Sequence, residues 1–437
     1  MENSAFFLKG DICWSSSLHT IETAENSFLL CEKGKSGGVF AKIPPEYAGL
    51  PVKDFSGKLI VPGLTDLHTH ASQFCFRALG MDLELLDWLN SYAFPAEAKY
   101  HDIEYARKAY DCFIEQVKKG PNTRLCVFAT IHVPGTLLLM DMLEESGLVC
   151  LVGKVNMNRN CPEYLREDNS AGATREWLET SFKGIKEGRY KNIAPILTPR
   201  FVPSCSDDLM ESLGKIQKEY KLPVHSHLSE NRKETAWVKE LHPESENYAS
   251  VYAGFGLLGD SAPTIMAHCV WLDEKEMDLL AERGVYIAHC PQSNTNLFSG
   301  IAPARRYLDR GIPLGLGSDI AGGTHSSIFR AMSDAIQVSK LRQVLVAPEE
   351  KALTLEEAFY LGTAGGGSFF GKLRPGNEKF GPAGSFEPGW DFDALVIDDS
   401  SLDNPDRLKL RARLERVVYL SDDRHIMGKY VRGVSVL

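Results

Sequence analysis

The chain has 437 residues, a length that suits one large domain together with a smaller one. Hydrophobic residues make up 43% and charged residues 24%, which is globular composition, and the net charge of −10 argues against a nucleic-acid partner. Since no run of about 18 uncharged apolar residues occurs, we expect no membrane span.

The N-terminus and the cysteines predict a cytoplasmic protein. The opening residues, MENSAFFLKGDICW, contain acidic and polar side chains where a secretory signal would have a basic region followed by a long apolar one. The ten cysteines are scattered and form no CxxC pair. This distribution favours reduced, mostly buried thiols over disulfides or a thiolate zinc site.

Residues 59–370 alternate apolar, strand-like runs with amphipathic stretches of helical periodicity, such as IEYARKAYDCFIEQVKKG. The eight strand-like runs are KLIVPGLTDLHTH, TRLCVFATIH, LVCLVGKVNM, IAPILTPRF, LPVHSHLSE, TIMAHCVWL, GVYIAHCPQSN and IPLGLGSDIAGG. Eight strands alternating with helices predict an α/β protein whose main domain is a (β/α)8 barrel of the TIM type.

Both ends of the chain contain short strands and turns instead. We expect residues 1–58 and 371–437 to form one small, discontinuous β-sandwich domain, with the barrel of residues 59–370 inserted in it. Two unrelated end caps are the alternative, and strand alternation does not decide between them.

Polar side chains collect at the predicted carboxyl ends of the barrel strands, where barrels of this type carry their active sites. Such groups would be costly inside a core, and six strands agree in contributing residues to this end. The residues are His68, His70, Arg200, Phe201, His225, His227, Glu230, His268, His289 and Asp319.

These residue types support metal-assisted hydrolysis. The imidazoles of His68, His70 and His227 and the carboxylate of Asp319 form a ligand set that suits Zn²⁺ or Fe²⁺. The metal would lower the pKa of a bound water, and Asp319 can also accept a proton from that water.

Two further residues complete the predicted catalytic group. Glu230 lies three residues after His227, where it can carry a proton to the substrate. His268 is placed to hold the hydroxide or the tetrahedral oxyanion.

The motifs PGLTDLHTH, HSHLSE, MAHC, HCPQSN and GSD together resemble the amidohydrolase superfamily, and they occur in that superfamily's order. Within it, the guanine deaminase branch has stretches similar to HTHASQF, LLDWLNSYAFPAEAKY, ILTPRFVPSCS, SHLSENRKE and LGSDIAGG. The resemblance spans about residues 58–437. Two departures are the turn at Pro121 and Asn122 and the long link GKLRPGNEKFGPAGSFEPG.

The resemblance implies hydrolytic deamination of guanine to xanthine and ammonia, in purine catabolism or salvage, by a homodimer. It assigns one zinc ion to the ligand set named above, with His268 beside it and Glu230 as the proton shuttle. Gln73, Arg200 and Phe201 would hold the purine together with His227 and Glu230. The side-chain amide of Gln73 can both donate to and accept from the mixed edge of a purine.

Several alternatives remain open at this point. His225 shares its strand face with His227, and we favour His227 as the ligand because SHLSE matches the family motif. Lys154 follows the third predicted strand, whereas the bridging lysine of two-metal amidohydrolases ends the fourth, so we expect one metal. The segment ELLDWLNSYAFPAEAKY either only packs against the rest of the protein or also forms a lid over the pocket.

Three function classes are compatible with the sequence. The first is guanine deamination, the second is deamination or dechlorination of another aromatic heterocycle, and the third is a non-catalytic scaffold. The complete ligand set together with the shuttle glutamate counts against the scaffold.

Overall fold

A computed structural model describes residues 5–259, 261–373, 380–402 and 404–437. Its strands, in chain order, are β1 (Phe6–Ser17), β2 (Thr20–Glu32), β3 (Lys35–Phe40), β4 (Val52–Pro62), β5 (Leu64–His70), β6 (Asn122–Phe128), β7 (Val149–Gly153), β8 (Val155–Asn156), β9 (Ile193–Pro195), β10 (Thr198–Pro199), β11 (Val224–Leu228), β12 (Thr264–His268), β13 (Tyr286–His289), β14 (Leu314–Leu316), β15 (Ala394–Ile397), β16 (Ile426–Val431) and β17 (Val434–Ser435).

The helices are α1 (Leu85–Trp88), α2 (Phe94–Ala98), α3 (Ile103–Lys119), α4 (Val133–Ser146), α5 (Ser170–Lys186), α6 (Asp207–Tyr220), α7 (Arg232–Leu241), α8 (Tyr248–Gly254), α9 (Glu274–Glu282), α10 (Pro291–Asn296), α11 (Ala304–Asp309), α12 (Ile328–Leu345), α13 (Leu355–Tyr360) and α14 (Leu410–Leu420). The stretches with helical periodicity are confirmed as α3, α6 and α9. Over the described part of the chain, no helix is long and apolar enough to cross a membrane.

Two parallel four-stranded sheets, β5-β6-β7-β9 and β11-β12-β13-β14, form the barrel region. Backbone hydrogen bonds join these sheets at both ends. At one junction the His225 N–H donates to the Leu197 carbonyl oxygen at 2.9 Å, and at the other the Asp319 N–H donates to the His68 carbonyl oxygen at 2.8 Å. The predicted α/β fold of the TIM-barrel type is confirmed, and each of the eight strand-like runs contains a strand.

Strands from both ends of the chain lie in one seven-stranded sheet, in the order β17-β16-β15-β4-β1-β2-β3. The N-terminal and C-terminal segments meet where β15 pairs antiparallel with β4. They form a single sheet, whereas the sequence predicted the two sheets of a sandwich. The division of the chain into domains of residues 1–58 with 371–437 and 59–370 stays a prediction, and β4 runs across the first of these boundaries. Residues 374–379 of the long link lie outside the described residues.

The first strand-like run, KLIVPGLTDLHTH, is two strands and not the single strand that the sequence predicted. The chain passes from the end sheet into the barrel at Gly63, between β4 and β5. A Cβ atom on Gly63 would lie 2.3 Å from Thr123 Oγ1, so a residue with a side chain cannot occupy this position without displacing β6. The glycine thus allows the close approach that places β5 beside β6.

Arg124, on β6, is fully buried and ties the barrel to the C-terminal segment. Its Nε donates to Asp393 Oδ2 at 2.8 Å, its Nη2 to Asp391 Oδ2 at 2.7 Å and its Nη1 to the Gly381 carbonyl oxygen at 3.0 Å. Buried carboxylates of this kind depend on their cationic partner.

We therefore expect Arg124→Met to lower the free energy of unfolding by about 3–5 kcal/mol, measured by denaturant titration, because removing one partner leaves buried charge uncompensated. Arg166→Met is the control. Its ion pair with Asp168 is 3.3 Å long and exposed, and such pairs contribute about 0–1 kcal/mol. Equal losses in the two variants would contradict a stabilising role for the buried pair.

Candidate active site

The predicted ligand residues meet at the carboxyl ends of the barrel strands. His68 and His70 are both buried on β5, and the two-residue repeat of a strand turns both rings to one side. His227 lies on β11, and Asp319 follows β14. His268, the last residue of β12, and Asp319 have φ angles of 71° and 46°, in the left-handed region that few non-glycine residues adopt.

The ligating atoms of these residues lie close enough together to share one ion. Nε2 of His68 and Nε2 of His70 are 3.1 and 3.3 Å from Asp319 Oδ1, and Nε2 of His227 is 3.3 Å from Nε2 of His70. One ligand atom from each of His68, His70 and His227 lies within 4.8 Å of the others, and the same holds for His68, His268 and Asp319.

Burial favours the neutral form of the His70 and His227 imidazoles. It lowers the pKa of His70 to about 4 and the pKa of His227 well below its usual value. A neutral imidazole is the form that binds a metal. The Nε2 atoms of His68 and His268 are buried, and neither has a partner in hydrogen-bonding geometry. A ligand at the centre of the site would provide that partner. The donor set therefore fits a divalent metal.

Hydrogen bonds on the opposite ring nitrogen orient three of the histidines. His227 Nδ1 lies 2.6 Å from the Arg200 carbonyl oxygen, and His268 Nδ1 lies 2.9 Å from Asn294 Oδ1. A ring that donates from Nδ1 presents an Nε2 lone pair to the centre of the site. His225 Nε2 lies 2.8 Å from His68 Nδ1, so His225 contacts a candidate ligand from one layer deeper in the barrel.

A pocket opens beside this cluster. Eight of its lining residues were candidate site residues in the sequence analysis. One of them, Gln73, lies in the turn after β5. The lining residues that the sequence singled out are His70, Gln73, Arg200, Phe201, His227, Glu230, His268 and Asp319. His68 is a candidate ligand that does not line the pocket, because it lies fully buried beneath it.

Glu230 is buried at the edge of the pocket. Its Oε1 accepts a hydrogen bond from Ser299 Oγ at 3.2 Å, and its Oε2 is 3.4 Å from His268 Nε2. The loop that carries it is held by Glu234, whose Oε2 accepts from the Glu230 N–H at 2.9 Å. Burial, with the charge of Asp319, raises the pKa of Glu230 well above its usual value. The carboxyl group is thus placed to hold a proton next to the cluster.

Glu97, on α2, is the main site residue that the sequence analysis missed. Its buried carboxylate accepts from Gln73 Nε2 at 2.8 Å and from Arg200 Nη1 at 2.5 Å. The amide oxygen of Gln73 accepts from the Ala321 N–H at 3.1 Å. The nitrogen and the oxygen of the Gln73 amide thus each make one hydrogen bond within the protein, which leaves one N–H and one lone pair for a ligand.

The predicted lid segment contributes three apolar side chains to the pocket, those of Leu85, Trp88 and Leu89. Its helical structure runs from α1 through a π-helical turn into α2. Pro95 lies where the π-helical turn passes into α2, and a π-helical turn is one of the places where a helix accommodates a residue that has no N–H. The segment thus continues past the proline far enough to carry Glu97.

The amidohydrolase family model matches residues 59–436. This chain belongs to the amidohydrolase family. Members of this family are metal-dependent, and here three histidines and one aspartate form the cluster at the expected strand ends.

Guanine deaminase from Dictyostelium discoideum is 38% identical over 88% of this chain and 84% of its own. Guanine deaminase from Homo sapiens is 38% identical over 87% of this chain and 83% of its own. Among solved structures, that of guanine deaminase from C. acetobutylicum, with guanine bound in its active site, matches with a TM-score of 0.93 and 44% identity. The match covers 99% of this chain and 100% of that one.

Proposed function

We propose that this amidohydrolase is a guanine deaminase, an enzyme that hydrolyses guanine to xanthine and ammonia. The observation that carries the proposal is the 44% identity, over 99% of the chain, to a guanine deaminase solved with guanine in its active site. The two curated relatives described above are guanine deaminases as well, which favours guanine over the other heterocycles that the sequence left open.

We propose that His68, His70, His227 and Asp319 hold one zinc ion, for which three imidazoles and a carboxylate are a suitable ligand set. Fe²⁺ is compatible with the same ligands. When bound, such a metal supplies a water whose pKa lies near neutrality. The side chains around the metal would transfer protons and bind the purine.

Glu230 is the proposed proton carrier. Water adds to carbon 2 of the purine, so the adjacent ring nitrogen N3 must gain a proton, and the amine on carbon 2 must gain another before it leaves as ammonia. Both protons come from the water: the Glu230 carboxylate takes the first and gives it to N3, and the second, released as the oxygen on carbon 2 becomes a carbonyl, passes by way of Asp319 and Glu230 to the leaving amine. Asp319 accepts the second proton that the water gives up, and the His268 ring lies beside the oxygen that develops negative charge.

Gln73, Arg200 and Phe201 are the proposed purine-binding residues. Deamination at carbon 2 directs the amine of guanine toward the cluster, so the oxygen on carbon 6 points away from it. Arg200 supplies permanent donors for that oxygen. Phe201 offers an aromatic face, and Gln73 offers its amide nitrogen.

A purine panel assayed by ammonia release tests the function. We expect turnover of guanine, and poor turnover of adenine, whose amine at carbon 6 leaves the donors of Arg200 unpaired. Arg200→Met should raise KM and lower kcat/KM for guanine by about 10- to 100-fold with the metal retained, because a hydrogen bond to a charged group contributes about 1.5–3 kcal/mol. The exposed Arg166→Met variant is the control.

Adenine turned over as fast as guanine, or a silent Arg200→Met, would contradict this pocket assignment and favour another heterocycle as substrate.

Homodimeric assembly and a cytoplasmic location belong to the proposal as well. The first is implied by the family resemblance, and the second is supported by the ten scattered cysteines, all of which are free thiols.

A further inference from the structure

Glu97 joins the segment above the pocket to two of the proposed purine-binding residues. It lies on α2 with 4% of its side chain exposed, and its two carboxylate oxygens engage different partners. Oε1 accepts from Gln73 and Oε2 accepts from Arg200. Those partners lie on the turn after β5 and just after β10, so one carboxylate connects three parts of the structure.

The contact between α2 and Arg200 has a second component. Phe94 precedes Glu97 by three residues, a spacing that places both on one face of a helix. The Arg200 guanidinium lies 5.0 Å from the centre of the Phe94 ring. The guanidinium is therefore held by a carboxylate at one of its nitrogens and by an aromatic ring across its plane.

This arrangement matters because Arg200 is buried in a pocket that receives an uncharged purine. A buried guanidinium without an anion beside it is strongly unfavourable. Glu97 supplies the anion while engaging one terminal nitrogen, and a guanidinium has five N–H donors, so donors remain for a ligand. Glu97 also fixes the orientation of the Gln73 amide, whose nitrogen donates to Glu97 while its oxygen accepts from the Ala321 N–H.

The same segment closes the pocket with Leu85, Trp88 and Leu89. These side chains and Glu97 belong to one continuous run of helical turns, α1 to α2. Docking of this run onto the barrel therefore brings the apolar cover and the carboxylate into place together.

We propose that Glu97 is a positioning residue that orients Arg200 and Gln73 and couples their orientation to closure of the segment of residues 81–101. The proposal rests on the proposed function, because it assumes that Arg200 donates hydrogen bonds to the oxygen on carbon 6 of guanine. It gives the segment two roles, exclusion of water and completion of the hydrogen-bonding site.

The test compares Glu97→Gln with Glu84→Gln. Glu84 is a carboxylate of the same segment whose ion pair with Lys233 lies at the surface, so this variant controls for loss of a charge. Each variant is assayed with guanine and with 2-aminopurine, as substrate or competitive inhibitor. The latter has the amine on carbon 2 but no oxygen on carbon 6.

For Glu97→Gln we expect kcat/KM for guanine to fall about 10- to 100-fold, mainly through KM, with metal content unchanged. The response to 2-aminopurine should change less than about threefold, and Glu84→Gln should match the wild type for both compounds. In combination with Arg200→Met, Glu97→Gln should cost little more than Arg200→Met alone, because both act through one contact. Glu97→Asp, which keeps the charge, should recover part of the loss.

Hydrogen exchange over residues 81–101 provides a readout independent of turnover. We expect faster exchange in Glu97→Gln than in Glu84→Gln. Equal exchange in both, or equal losses for guanine and 2-aminopurine, would overturn the positioning role. A wild-type protein that releases no ammonia from guanine would overturn the proposed function instead, and the exchange comparison would still decide whether Glu97 holds the segment closed. Where Glu97→Gln does not fold, the same comparison is made with Glu97→Asp.

Discussion

His227→Ala is expected to lose both its metal and its activity. The Nε2 atom of His227 lies 3.3 Å from that of His70, and its Nδ1 is bonded to the Arg200 carbonyl oxygen, so the ring presents a lone pair to the cluster. Elemental analysis should find about one zinc per wild-type chain and almost none in the variant. Ammonia release should fall by at least about 10³-fold, because water activation is lost with the metal.

His19→Ala is the matched control, since 69% of that side chain is exposed and it lies outside the pocket lining. It should keep metal and activity. A His227→Ala protein that retains its metal would transfer the ligand role to His225, which contacts His68 from below.

The same analysis tests the number of metals. Lys154 is buried and donates to Glu167 Oε2 at 2.7 Å, so the structure uses its charge in an ion pair. Two zinc equivalents in fully active protein would contradict a single-metal site and give Lys154 a different role.

Glu230→Gln is expected to keep its fold and metal but to lose activity by about 10²- to 10⁴-fold, the usual contribution of general acid–base catalysis. The amide occupies the volume of the carboxyl group and retains an acceptor for Ser299, but it cannot carry a proton. Steady-state kinetics should place the loss in kcat.

Glu240→Gln is the control, because Glu240 is exposed and lies on α7, the helix that follows the Glu230 loop. Activity of Glu230→Gln within a few-fold of this control would end the proton-carrier role of Glu230.

Local periodicity explains why much of the architecture was predictable. A two-residue repeat placed His68 and His70 on one side of a strand, and parallel strands buried on both faces appear as continuous apolar runs. The eight strand-like runs, six of which end in candidate site residues, therefore predicted the barrel type and most of the pocket-lining residues.

Glu97 escaped this reasoning because its role depends on Arg200, a residue 103 positions away in the chain. The helical pattern around it indicated which face packs inward but not which side chain that face would meet. Asn294 was missed for the same reason, since only the fold brings it to His268. The two-strand nature of the run at residues 58–70 depends on packing at Gly63 against Thr123, which a single apolar run does not reveal.

The continuity of β4 into β5 has a consequence for biosynthesis. The strand that carries His68 and His70 is the direct extension of one whose neighbours are β1, near the start of the chain, and β15, which spans Ala394–Ile397. A ribosome delivers β15 only when most of the polypeptide has emerged, and Asp391 and Asp393, the partners of buried Arg124, arrive at the same stage. Contacts between such distant parts of a chain form slowly. We therefore expect the proposed metal site to be completed late in folding, after the C-terminal strands have docked beside the N-terminal ones.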